Sequence, residues 1–132
     1  MLCKLHALTW DDFDVAVADI AIKCSALKAT GIYGVPRGGL ILAVALSHKL
    51  RVPLLDYPSR NGLWVDDIVD TGRTLYSAPE SIAYIAWINN LKDNCNLNLI
   101  SAQSNADGWV VFPWESLEMA REDKERYDLS RK

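Results

Sequence analysis

Two short apolar runs, TGIYGV at residues 30–35 and LWVDDIV at 63–69, each give way to a turn rich in small residues and then to further ordered chain. Strand, glycine turn and helix in succession admit few architectures. The pattern predicts an α/β fold with a mainly parallel central sheet flanked by helices. In such sheets the turns that follow the strands collect at one edge, and ligands bind there, near the point where the strand order reverses. The two turns, PRGG and DTGRT, are therefore expected to open onto one cleft.

The remaining segments fit the same plan. Thr9 followed by Asp12 has the form of a capping box, and Phe13, Val17, Ile20, Cys24 and Leu27 recur at helical spacing, so a helix is expected over residues 10–28. LILAVALSHKL reads as a buried helix, and RVPLL as a short strand followed by the turn-rich DYPSRNG. SAPESIAYIAWINNL is expected to be a helix, with Pro79 tolerated in its first turn. NLNLIS and WVVFPW read as two further strands, the second ended by Pro113. The mixed charges of MAREDKERYDLSRK suit a solvated helix or frayed tail.

A chain of 132 residues suits one domain, expected over 1–132. Its 50% apolar content is that of a soluble globular chain, and no apolar run approaches the roughly 18 residues of a membrane span. Cys3, Cys24 and Cys95 are odd in number and far apart, which suits a reducing compartment; no export signal is read, and a cytoplasmic location is expected. A net charge of −3 gives no general attraction to nucleic acid. His6 and His48 lack partners at metal spacing, and Trp64, Tyr84 and Trp87 are assigned to packing.

The chemistry concentrates in LWVDDIVDTGRTL, residues 63–75. A strand-to-helix turn of small residues turns successive backbone N–H groups toward one point, so Thr71, Gly72, Arg73 and Thr74 form a cradle suited to a phosphate. Arg73 would contribute backbone, with its side chain toward solvent. Asp66 and Asp67 close an apolar strand, where a carboxylate is costly unless solvated, paired or ligated. Both could accept hydrogen bonds from sugar hydroxyls or hold Mg2+ through its waters. Asp70 would repel a phosphate in the adjacent cradle unless it faced a group that carries a proton, which suits a general acid or base. At the second turn, Gly38 and Gly39 free the backbone and Arg37 adds a planar cationic fork for phosphate. Together the parts describe a site for a phosphorylated sugar that bears a further phosphate group. Neither a GxxxxGK(S/T) loop nor a GxGxxG fingerprint occurs.

LWVDDIVDTGRTL resembles the phosphoribosyl-pyrophosphate motif of the type I phosphoribosyltransferases, in which an apolar strand carries two acids, two apolar residues and then DTGxT. LTWDDFD, VPRGGL and WVVFPWE extend the resemblance, from about Leu8 to Glu115, toward the xanthine-guanine and hypoxanthine (purine salvage) branch. The resemblance implies transfer of a phosphoribosyl group from phosphoribosyl pyrophosphate to a purine base, with Mg2+ as cofactor. By position, Asp66 and Asp67 would bind the ribose hydroxyls and the metal, and Asp70 to Thr74 would wrap the 5′-phosphate. Asp70 would face the base, Arg37, Gly38 and Gly39 would hold pyrophosphate, Trp109 would stack on the purine, and the Val110 backbone would read the ring edge. A homo-oligomer is expected on the same ground. Two departures stand out: the long flexible loop of the family is reduced to DYPSRNG, and the lysine that relatives place after the strand matching NLNLIS is absent, with Gln103 nearby. A regulatory or sensor protein that binds the donor without turnover is the alternative these departures suggest.

Overall fold

A computed structural model describes residues 5–92, 95–104 and 108–130. The elements in chain order are β1 (Leu5–Ala7), α1 (Trp10–Cys24), a 3-10 turn (Ser25–Leu27), β2 (Ile32–Gly34), α2 (Gly38–Leu50), β3 (Leu54–Leu55), β4 (Leu63–Val69), α3 (Arg73–Tyr76), β5 (Ala83–Asn89), β6 (Leu99–Ser104), β7 (Trp109–Val111) and α4 (Leu117–Ser130). The chain forms two compact units, one of Val15–Asn105 and one of Met1–Asp14 with Ala106–Lys132.

The larger unit is built on a five-stranded sheet in the order β3-β2-β4-β5-β6, with every adjacent pair parallel. The α/β class with a mainly parallel sheet is thus what the sequence predicts. The chain steps from β2 outward to β3 and then returns across β2 to lay down β4, so the order reverses between β2 and β4. That reversal places a crevice at their carboxyl ends. α2 packs on β2 and β4, burying Leu42, Ala43 and Leu46. The C-terminal part of α1 buries Ala16, Val17, Ile20 and Cys24, and Lys23 Nζ reaches the Ser101 carbonyl of β6 at 2.8 Å.

One expected element is overturned. The segment 77–91 is not a helix: its centre is β5, with residues 83–88 all buried. AYIAWI is apolar throughout, so periodicity does not separate helix from strand, and its Tyr, Ile and Trp side chains favour the pleated, two-sided burial of a central parallel strand. The connection from β4 to β5 therefore keeps a single helical turn, α3. Tyr84 fastens the rest: its hydroxyl accepts from the Ser81 N–H at 3.0 Å and donates to the Pro79 carbonyl at 3.1 Å. Trp64, Tyr84 and Trp87 are buried, as expected of packing residues, and His48 is exposed.

In the smaller unit β1, which the sequence reading does not anticipate, pairs parallel with β7. Around this pair lies an aromatic cluster, with Phe112 stacked on Trp114 at 5.1 Å and Trp10 and Phe13 at 5.4 Å edge to face. α4 takes up the charged tail as a solvated helix in which Ala120 is buried. The capping box forms in full: the Asp12 N–H donates to Thr9 Oγ1 at 3.0 Å and the Thr9 N–H to Asp12 Oδ2 at 2.8 Å. These bonds hold the Asp12 carboxyl below its ordinary value. Thr9→Ala is expected to cost about 1 kcal/mol, measured as a lower urea midpoint at unchanged slope. Among the described residues no helix is long and apolar enough to cross a membrane.

Candidate active site

β2 lies beside the first half of β4, with Ile32, Tyr33 and Gly34 paired to Leu63, Trp64 and Val65, so its carboxyl end meets β4 just before Asp66. The Val35 N–H continues the ladder by donating to the Val65 carbonyl at 2.8 Å. The PRGG turn follows at once, and the Pro36–Arg37 peptide is cis. The Gly39 N–H donates to the Val35 carbonyl at 2.9 Å, which folds the turn back onto β4 as α2 begins. The approach is so close that a methyl group on Gly39 would overlap the Val65 carbonyl oxygen and lie 2.9 Å from the Asp66 Cα. One on Gly38 would overlap the Asp67 carboxylate. Arg37 is exposed and has no salt-bridge partner among the described residues.

Asp66 and Asp67 stand within β4, which continues to Val69, and not at its end as the sequence reading has it. Asp67 meets the PRGG turn, while Asp66 lines a cavity of about 130 Å³ together with residues 68–75. The Asp67 N–H donates to Asp66 Oδ1 and the Ile68 N–H to Asp67 Oδ1, both at 2.8 Å. Burial raises the Asp66 carboxyl; burial and then the neighbouring Asp66 push Asp67 up to about 7. Two half-buried carboxylates with no salt-bridge partner among the described residues are held in an unfavourable state that a ligand relieves.

Beyond β4 the chain turns at Gly72, whose φ of 86° places it in the left-handed region. A side chain there would be strained and would also meet the Tyr76 ring at 2.6 Å. Thr71 Oγ1 accepts weakly from the Arg73 N–H at 3.3 Å, and the Gly72 carbonyl accepts from the Tyr76 N–H at 2.8 Å to start α3. A left-handed glycine followed by a right-handed helical turn presents successive amides as an anion nest does. Asp70, Thr71, Arg73 and Thr74 are exposed around it, with the Arg73 side chain toward solvent as expected.

The larger unit therefore brings together Arg37, Gly38, Gly39, Asp66, Asp67 and residues 70–74 at one reversal of strand order. Trp109 and Val110, expected to hold the base, belong to the smaller unit, where Trp109 packs on Tyr127 at 5.2 Å and Val110 pairs with His6. No group of three or more His, Cys, Asp or Glu capable of holding a metal occurs among the described residues. Asp66 and Asp67 supply hard oxygen donors of the kind Mg2+ takes when phosphates and waters complete its shell. The sequence reading missed that Gln103 accepts a hydrogen bond from the Trp87 indole N–H at 3.1 Å. The tryptophan, assigned to packing, carried the only hint, since a buried indole N–H needs an acceptor.

No protein-family model matches the chain. Among curated proteins it is similar to the xanthine-guanine phosphoribosyltransferase of Idiomarina loihiensis, 23% identical over 137 residues that cover 82% of this chain and 85% of that one. The xanthine-guanine phosphoribosyltransferase of Chromohalobacter salexigens is 25% identical over 133 residues, covering 82% of each. Among solved structures it is similar to a purine phosphoribosyltransferase from Pyrococcus horikoshii, with a TM-score of 0.71 and 29% identity over 86% of this chain and 95% of that one.

Proposed function

We propose that this chain, which carries the type I phosphoribosyltransferase fold and is a relative of the xanthine-guanine phosphoribosyltransferases, transfers the phosphoribosyl group of phosphoribosyl pyrophosphate to a purine base. The observation that carries the reading is the meeting of the DTGRT nest, the β4 acid pair and the PRGG turn at one strand-order reversal.

Each residue then has a task set by its place. The backbone of residues 71–74 holds the 5′-phosphate, with the Thr71 and Thr74 hydroxyls as further donors. Asp66 and Asp67 accept from the ribose hydroxyls and would hold Mg2+, which would supply positive charge against that of the departing pyrophosphate. Arg37 and the Gly38–Gly39 backbone bind that pyrophosphate from the β2 side. Positive charge builds on the ribose as the C1–O bond breaks, and the carboxylates of β4 stabilise it. Asp70, exposed at the end of β4, accepts the proton that the base gives up as its nitrogen bonds to C1. Trp109 and Val110 are assigned to the base on the family resemblance alone, as is association of the chain with further copies.

The test is pyrophosphate release from phosphoribosyl pyrophosphate with a panel of purine bases and Mg2+. Turnover is expected, and Asp70→Asn should lower kcat by about 100-fold while donor binding is kept, because an amide cannot take the proton. Donor binding without turnover on any base would leave a sensor in place of an enzyme. The seven-residue connection 56–62, in place of a long covering loop, is the feature that would explain such a result.

A further inference from the structure

We propose that a second cavity, on the far side of α3 from Asp66, is a regulatory site that takes a nucleoside monophosphate and, when filled, weakens the hold of the neighbouring cradle on phosphoribosyl pyrophosphate. The inference rests on the phosphoribosyl-transfer reading above and adds a control to it.

The cavity follows from two short connections. β3 and β4 lie on either side of β2 and run parallel to it, so the chain must cross β2 between them. Such crossovers usually take a dozen residues or more, commonly as a helix. Here seven residues, 56–62, make the crossing, and the helical part of the next connection, α3, is a single turn. Between Pro58 of the first and Ala78 and Pro79 of the second a cavity of about 410 Å³ stays open, floored by Tyr33 of β2 and Trp64 of β4. That is room for a small organic ligand.

The lining sets the class of ligand. Two aromatic side chains and two prolines suit a flat ring. Arg73 is the only charged residue lining the cavity among the described residues, and its guanidinium has no salt-bridge partner among them. One planar cationic fork suits one anionic group, and phosphate fits it best. The Ser77 hydroxyl donates to the Arg73 carbonyl at 2.9 Å, which leaves its oxygen to accept from a sugar hydroxyl. A ring, a sugar and a single phosphate make a nucleoside monophosphate, the class of the reaction's own product. The donor, which has no ring and carries several phosphate groups, would leave the aromatic floor unused.

The coupling follows from shared residues. Arg73 and Thr74 line both this cavity and the one that contains Asp66 and the cradle. A phosphate drawn to Arg73 therefore brings negative charge to within roughly 10 Å of the donor's 5′-phosphate, since the two residues lie in one helical turn. At that range salt damps the repulsion without abolishing it, and a loss of about fivefold in donor affinity is expected. By linkage the donor weakens the nucleotide by the same factor.

The test titrates inosine 5′-monophosphate into protein saturated with phosphoribosyl pyrophosphate and Mg2+, so that the donor site is closed to it. The wild type is expected to take up one nucleotide per chain. Labelled donor, chased with an excess of unlabelled donor, should then dissociate about fivefold faster with the nucleotide present than without it. A nucleotide that only competes for the donor site cannot change that rate. Ala78→Phe, which fills the cavity, should abolish both effects and leave the donor's own Kd unchanged. Should Ala78→Phe not fold, Pro58→Phe fills the cavity from the opposite wall and is read in the same way. No uptake by the donor-saturated wild type, an unchanged dissociation rate, or uptake that the filled variants retain overturns the inference and leaves the transferase reading intact. A wild type that does not bind the donor overturns both.

Discussion

Replacing Asp67 by Asn should stabilise the unliganded protein above neutral pH and, at the same time, lower its affinity for phosphoribosyl pyrophosphate with Mg2+ by about a thousandfold, in line with the several kcal/mol a metal-held phosphate is worth. The first effect follows from the raised Asp67 carboxyl, which moves from 3.8 to about 7 because of burial and the adjacent Asp66. Between those values the unfolded chain has released a proton that the folded chain keeps. Stability therefore falls as pH rises through this window, and the loss is complete above about 7. Its size is on the order of a few kcal/mol. Asparagine has no proton to lose and can still accept the Ile68 N–H through its carbonyl oxygen, as Asp67 does at 2.8 Å. Thermal unfolding at pH 5 and pH 8 checks the sign: the wild type should lose Tm at the higher pH, and the variant, which keeps only the raised Asp66 carboxyl, should lose less. Site residues that weaken the fold they stand in are those whose charge awaits a ligand.

The second large effect is expected at Gly39. A methyl group there would be driven into the Val65 carbonyl oxygen and toward the Asp66 Cα, both backbone atoms of a central strand. Neither can move aside as a flexible side-chain tip would, and the Val65 oxygen is also the acceptor for the Val35 N–H. Gly39→Ala should therefore push the PRGG turn off β4 and cost about 3 kcal/mol or more. The measurement is the urea midpoint, with donor binding on whatever folded protein remains. Gly38→Ala meets a carboxylate instead of backbone, so its cost should be smaller and its effect on donor binding at least as large.

How much of this was legible in the sequence depends on whether a local signal existed. β2, β4 and the turns after them were readable because an apolar run ending in small residues leaves few conformations open, and the crevice followed from the strand–turn–helix order alone. The capping box of Thr9 and Asp12 was readable for the same reason: both bonds lie within one turn. β5 was not, because Ala83 to Ile88 are apolar at every position and only the sheet decides that they extend. The strand expected over LWVDDIV, residues 63–69, is the β4 observed, and the ladder from Asp66 to Ala86 and from Ile68 to Ile88 shows that the two acids stand within it. The contact of Trp87 with Gln103 joins residues 16 apart on neighbouring strands, which no local pattern reports.

Titration calorimetry of phosphoribosyl pyrophosphate into the protein with Mg2+, repeated on Asp67→Asn, tests most directly whether the β4 acids and the two turns form one donor site. The wild type should bind one donor per chain, and Asp67→Asn should lose most of that affinity. A wild type that takes up no donor, or a variant that binds it equally well, would contradict the account.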